Sequence, residues 1–134
     1  MSKYLEYAKT LRAIVEPHYN CAQAVLVPFA KDAGLTEEAA YDFSRNFGGG
    51  MKMGSVCGAI TGGLMVLGLF GVDDPRTIGA YYRHFKEEHN NCLNCVDLLK
   101  ASRERGEEKK PHCDGMVYEA IEVVEAILKE KGKL

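Results

Sequence analysis

Apolar residues recur every three to four positions through most of this chain. Between residues 3 and 15, Leu5, Ala8, Leu11, Ile14 and Val15 share one helical face, and Pro17 closes the segment. Asn20 has the character of an N-cap for a second helix that runs to about Ala33 and stops at Gly34, with Pro28 kinking or splitting it. A third helix opens at Thr36, with Glu37 and Glu38 in the first turn where the helix dipole favours acids, and ends before Gly48–Gly50. Gly54 or Ser55 then caps an uncharged helix that lasts to about Phe70. Asp74-Pro75 starts the next, which carries Ile78, Tyr81, Tyr82 and Phe85, and a short helix fits Cys95–Ala101. Residues 100–110 are dense in charge and read as a solvated connection. The last helix, about 115–131, places Val117, Ala120, Ile121, Val124, Ile127 and Leu128 at helical spacing. Sustained period-two alternation is missing, and so are repeats and linkers. The expected fold is all-α: a single-domain helical bundle over 1–134, built around a central glycine-rich, uncharged helix.

That central stretch raises the question of a membrane span, since no charge falls between Met53 and Val72. Its glycine, serine and threonine content, and the lack of basic or aromatic flanks, argue instead for a helix buried inside the bundle. Each interior glycine costs roughly 1 kcal/mol relative to alanine, so Gly58, Gly62 and Gly63 together cost about 3 kcal/mol. Close helix–helix approach along a groove made by Gly58 and Gly62 can offset it. An uncharged helix of this length could also exceed what one small core buries, which makes a homodimer an expectation.

Composition narrows the partners. The net charge of −2 gives no electrostatic case for nucleic acid or an anionic membrane surface. The start of the chain lacks the apolar stretch of a secretory signal, so the expected location is cytoplasmic. In a reducing compartment five cysteines point to metal binding or redox chemistry rather than structural bridges.

The positions of those cysteines carry the functional expectation. Cys21 follows the cap Asn20, Cys57 lies in the first turn of the uncharged helix, Cys95 follows Asn94, and Cys113 precedes the last helix. Helix N-termini present unpaired N–H groups and positive potential, which stabilise a thiolate, and the thiolate is both nucleophile and metal ligand. Cys92 and Cys95 form a CxxC, either a metal half-site or a dithiol pair. No second CxxC and no ferredoxin-type spacing occurs, so any ligands must converge in space. His18 and His112 are candidate ligands or proton donors by proximity, Lys52 and Arg45 could add positive potential, and His84 and His89 read as solvated. The glycine run is not a phosphate-binding loop, because no Gly-Lys-Ser/Thr closes it. No nucleotide, flavin or haem motif is present.

With "GSVCGAITGG" the chain resembles a family of redox-active proteins named for a CGAxxG motif and four characteristic cysteines. "NCAQAV" carries the first as Cys21, the glycine motif the second as Cys57, "CVDLL" the third as Cys95, and "HCDGMVYEA" the fourth as Cys113; Cys92 looks like an addition. A similar domain accompanies haem in split-Soret cytochromes, where it holds an iron–sulfur centre. The resemblance therefore places an iron–sulfur cluster above zinc, while the lack of CxxCH argues against covalent haem. The expected function is a small redox or electron-transfer protein with an unknown partner protein. Cys21, Cys57, Cys95 and Cys113, with Cys92 as a further candidate, would bind a cluster or cycle between dithiol and disulfide. Cys57 is the expected nucleophile and Cys21 its resolving partner. Gly48, Gly49, Gly50 and Gly58 would offer backbone amides to the cofactor. The alternative is a non-catalytic zinc-binding adaptor module.

Overall fold

The computed structural model describes residues 2–134, and among these the ordered elements are helices joined by short turns. Ser2 caps α1 (Lys3–Ala13), accepting a hydrogen bond from the Leu5 amide. The helix stops two residues earlier than its apolar face extends: Ile14 is already extended and Val15 stands 85% exposed. Pro17 disfavours helical backbone just before it, which shortens the segment.

Asn20 and Gln23 form a reciprocal capping box at the start of α2 (Cys21–Leu26). Pro28 cannot donate to the helical ladder, so the expected long helix becomes α2 followed by two 3₁₀ turns, and Gly34 ends them at φ +83°. Thr36 caps α3 (Glu37–Phe43). The chain then enters a tight turn in which Gly49, Gly50, Met51 and Lys52 all have positive φ.

The uncharged helix α4 (Gly58–Leu69) begins later than the expected Gly54 or Ser55 cap, because Cys57 itself occupies the N-cap position. Asp74 caps α5 (Pro75–Glu88), and Asn94 precedes α6 (Cys95–Glu104). The last helix, α7 (Lys109–Glu130), starts six residues ahead of expectation. Pro111 falls in its first turn, where a missing N–H removes no helical bond, so it does not mark a boundary. The charged connection shrinks accordingly to residues 105–108.

Helix α4 runs through the middle of the bundle against α2 and α7. Its glycines are what let it sit there. A Cβ at Gly58 would lie 2.8 Å from the Phe47 carbonyl oxygen, and one at Gly62 would lie 2.9 Å from that of Ala22. Gly63 faces Tyr81, whose buried hydroxyl donates to the Ile60 carbonyl at 2.7 Å. The chain thus covers much of α4 itself, while Leu69 near its end stays 41% exposed. No helix among the described residues is long and apolar enough to cross a membrane.

Two expectations about single residues change. His84 and His89 are not simply solvated: their Nε2 atoms lie 2.9 Å from the two carboxylate oxygens of Glu119, tying α5 to α7. Arg45 pairs with Asp42 and covers the Tyr41 ring.

Candidate redox site

One cavity of about 760 Å³ opens where α1 ends and where α2, α4 and α6 begin, with the first turns of α7 as its far wall. Cys21, Cys57, Cys95 and Cys113 all line it. The fifth, Cys92, does not; its sulfur instead lies 3.7 Å from the Asn90 carbonyl oxygen. The CxxC pair is therefore divided between the cavity and the loop beside it. His18 and His112 also line the cavity, and Lys52 does not.

Each thiol has a local reason for its place. Cys21 is the first residue of α2, held by the Asn20 cap, whose side-chain amide also donates to the Arg45 carbonyl at 3.0 Å. Cys57 and Cys95 are brought together by main-chain bonds: the Cys57 amide donates to Leu93 at 2.9 Å, and the Cys95 amide to Ser55 at 2.6 Å. Cys113 lies in the second turn of α7 rather than ahead of the helix, and points to the cavity from the side of that helix.

The glycines divide by role. Gly49 and Gly58 line the cavity, but Gly48 and Gly50 do not. Gly48 is needed because a Cβ there would fall 2.6 Å from the Asn20 side chain and push the cap away. Gly50, at φ +65°, packs onto the Ser55 backbone and makes the turn possible.

The thiols differ sharply in acidity. Cys113 is lowered to about 7, first by the proton shared from the Cys21 thiol, then by the nearby positive charges of Arg12 and Lys109. Cys21 moves the opposite way, because it is the donor of that bond and is buried. Burial raises Cys57 to about 11, overriding the Ala59 and Ile60 amides that pull it down. Its expected activation by the helix start is thus reversed, since desolvation outweighs the dipole. Burial also raises Cys95, against Lys109.

Arg12 is the residue that the sequence reading missed. It is buried at the end of α1, its Nε donating to Asp114 at 2.7 Å and its Nη1 to the Tyr19 carbonyl at 2.8 Å. Lys110 closes the group, with its ammonium on the Arg12 carbonyl and on Asp114. The available signal was its place beside Leu11 on the apolar face.

The profile of the family described as "Putative redox-active protein (C_GCAxxG_C_C)" matches residues 19–127. The chain belongs to that redox-active family. Comparison with curated proteins and with solved structures found no match. The stretch matched to the C_GCAxxG_C_C family contains all four cavity thiols, whereas α1 with Arg12 lies ahead of it.

Cys57 carries a pH prediction. Its thiol is neutral in the fold up to about 11, while an unfolded thiol ionises near the ordinary value of 9.0. Its contribution is complete below that ordinary value and is lost as pH rises through the window to 11. About 3 kcal/mol of stability should drain over those two pH units. Urea titrations at neutral and alkaline pH should show a steeper loss for the native chain than for Cys57→Ala. Equal slopes would refute this account.

Proposed function

We propose that the protein is a dithiol–disulfide redox protein whose working pair is Cys113 and Cys21. The observation that supports this is that both thiols line one cavity beside the Arg12 guanidinium, close enough to shift each other's acidity in opposite directions. Cys113, as thiolate near neutral pH, attacks an oxidised sulfur; Cys21 then resolves the mixed disulfide by attacking the Cys113 sulfur. These assignments replace Cys57 as nucleophile and keep Cys21 as resolving partner. Arg12 and Lys109 stabilise the attacking charge, and the buried Cys57 stays a neutral thiol.

A second reading is favoured by the presence of four thiols where two would serve. Thiolates are the donor type that iron–sulfur clusters take, so Cys21, Cys57, Cys95 and Cys113 suit that group chemically, and a bound cluster would supply one-electron transfer. Among the described residues, no three His, Cys, Asp or Glu side chains stand close enough to hold a single metal ion. Structural zinc needs four ligands at tetrahedral distance, so this spread supports the zinc adaptor least.

Metal analysis and absorption of anaerobically purified protein come first, followed by mild oxidation and disulfide mapping by mass spectrometry. Colourless protein that forms a Cys21–Cys113 bridge, reversible by a small dithiol and lost in Cys113→Ser, is the expected result. Brown protein containing iron and sulfide would transfer the assignment to the cluster. Oxidation that leaves Cys21 and Cys113 unpaired would overturn the dithiol reading.

A further inference from the structure

The cavity is far larger than two thiols require, and its walls are specific. Sites of a few hundred to about a thousand cubic ångströms, mostly apolar with few polar groups, are the usual form of small-molecule pockets. Here Ile14, Val96, Leu99 and Met116 supply apolar wall around the sulfurs. The mouth reaches solvent, because Val15 and Val96 are exposed.

Charge on the walls is one-sided. The chain has more acids than bases, 19 against 17, yet no Asp or Glu lines this cavity, while Arg12, Lys109 and Lys110 do. Asp114, just outside, already engages Arg12 and Lys110. Lys109 is different: among the described residues its ammonium has no hydrogen bond or ion pair. It is also the first residue of α7, where the helix dipole disfavours a cation. Beyond the support its charge lends the Cys113 thiolate, this placement gains nothing inside the fold, and it leaves the ammonium open to a ligand.

We propose that this cavity is the substrate site of the dithiol, and that it takes small organic disulfides bearing an anionic group. The inference rests on the dithiol reading above. The apolar body of the substrate lies against Leu99 and Met116, and its carboxylate or sulfonate pairs with Lys109. The Cys113 thiolate attacks the nearer substrate sulfur, the substrate S–S bond breaks, and the first thiolate leaves. The Cys21 sulfur then attacks the Cys113 sulfur, forming the protein disulfide and releasing the second thiolate. Two electrons pass from the protein dithiol to the substrate, and the protons lost by the two cysteines are taken up through solvent by the two products.

Two aromatic disulfides of similar shape test this in single turnover of the reduced full-length protein: the dithiobis-nitrobenzoate dianion and the neutral dithiodipyridine. Lys109→Glu removes the cation and suits the helix start, so folding is not at issue. The rate ratio of anionic to neutral probe should fall about tenfold in Lys109→Glu. Leu99→Gln should weaken saturation by both probes to a similar degree. An unchanged ratio in Lys109→Glu, or no effect of Leu99→Gln on either probe, would overturn the site. Cys113→Ser separates the two levels. If it reacts as fast as the native chain with both probes, the dithiol reading fails and the site with it; if it is inert while the ratio stays fixed, only the substrate assignment fails.

Discussion

Arg12→Met should cost about 3 kcal/mol of stability and, separately, make Cys113 a weaker nucleophile at neutral pH. The stability loss follows from burial. Arg12 is almost fully enclosed, and its removal leaves the Tyr19 carbonyl without its donor and Asp114 with Lys110 alone. The chemical loss follows from charge. Arg12 is one of the groups that hold the Cys113 thiol down near 7, so without it the thiol rises and less of it is ionised. Iodoacetamide labelling of Cys113 against pH, read by mass spectrometry, should show the midpoint moving upward and the rate at pH 7 falling several-fold. Arg12→Lys, which keeps the charge but not the paired geometry, should restore most of the labelling and less of the stability. A midpoint unmoved in Arg12→Met would remove the guanidinium from the site. The same depression sets a direction for stability: Cys113 contributes fully above its ordinary value, and the contribution is lost as pH falls through about 7.

Gly63→Ala should be of similar size, although alanine is the better helix former. The gain in helix propensity is about 1 kcal/mol, whereas the new methyl falls on the Tyr81 hydroxyl and within 3.1 Å of Val124. Overpacking a closed core costs about 1–3 kcal/mol, and here the ring cannot retreat without giving up its hydrogen bond to Ile60. With about 1 kcal/mol more for the weakened hydrogen bond, a net loss of about 2 kcal/mol is expected in urea denaturation. Tyr81→Phe frees the ring, so the double variant should be more stable than the two single losses add up to. Strict additivity would mean that Tyr81 is not what confines Gly63.

Helix starts were the most legible part of the sequence, because capping is local. Asn20, Thr36 and Asp74 each accept from a backbone amide of the first turn, as their residue types imply, and Asn94 precedes α6. Where a start was misplaced, the turn before it obeyed non-local demands. Met51 and Lys52 adopt left-handed backbone, which neither residue type announces, and this delays α4 to Gly58. Pro111 read as a boundary, although the first helical turn tolerates it, so Cys113 entered α7 instead of preceding it. The acidity order was hidden for a related reason. The dipole argument treats each thiol alone, while burial and the Cys21–Cys113 contact, both tertiary, decide which sulfur is ionised. The choice between Cys92 and Cys95 depended on one amide meeting Ser55, which spacing cannot convey.

That last contact is one of a pair, and both are made by peptide groups alone, with Val56 and Asn94 bridged between them. Side chains in this seam are thus spectators to how the sulfurs are registered. Substitution there leaves the pairing of the two segments intact, whereas gaining or losing a single residue between Ser55 and Cys57, or between Leu93 and Cys95, would throw the two halves out of step. What holds this corner of the molecule in register is a count, not an alphabet.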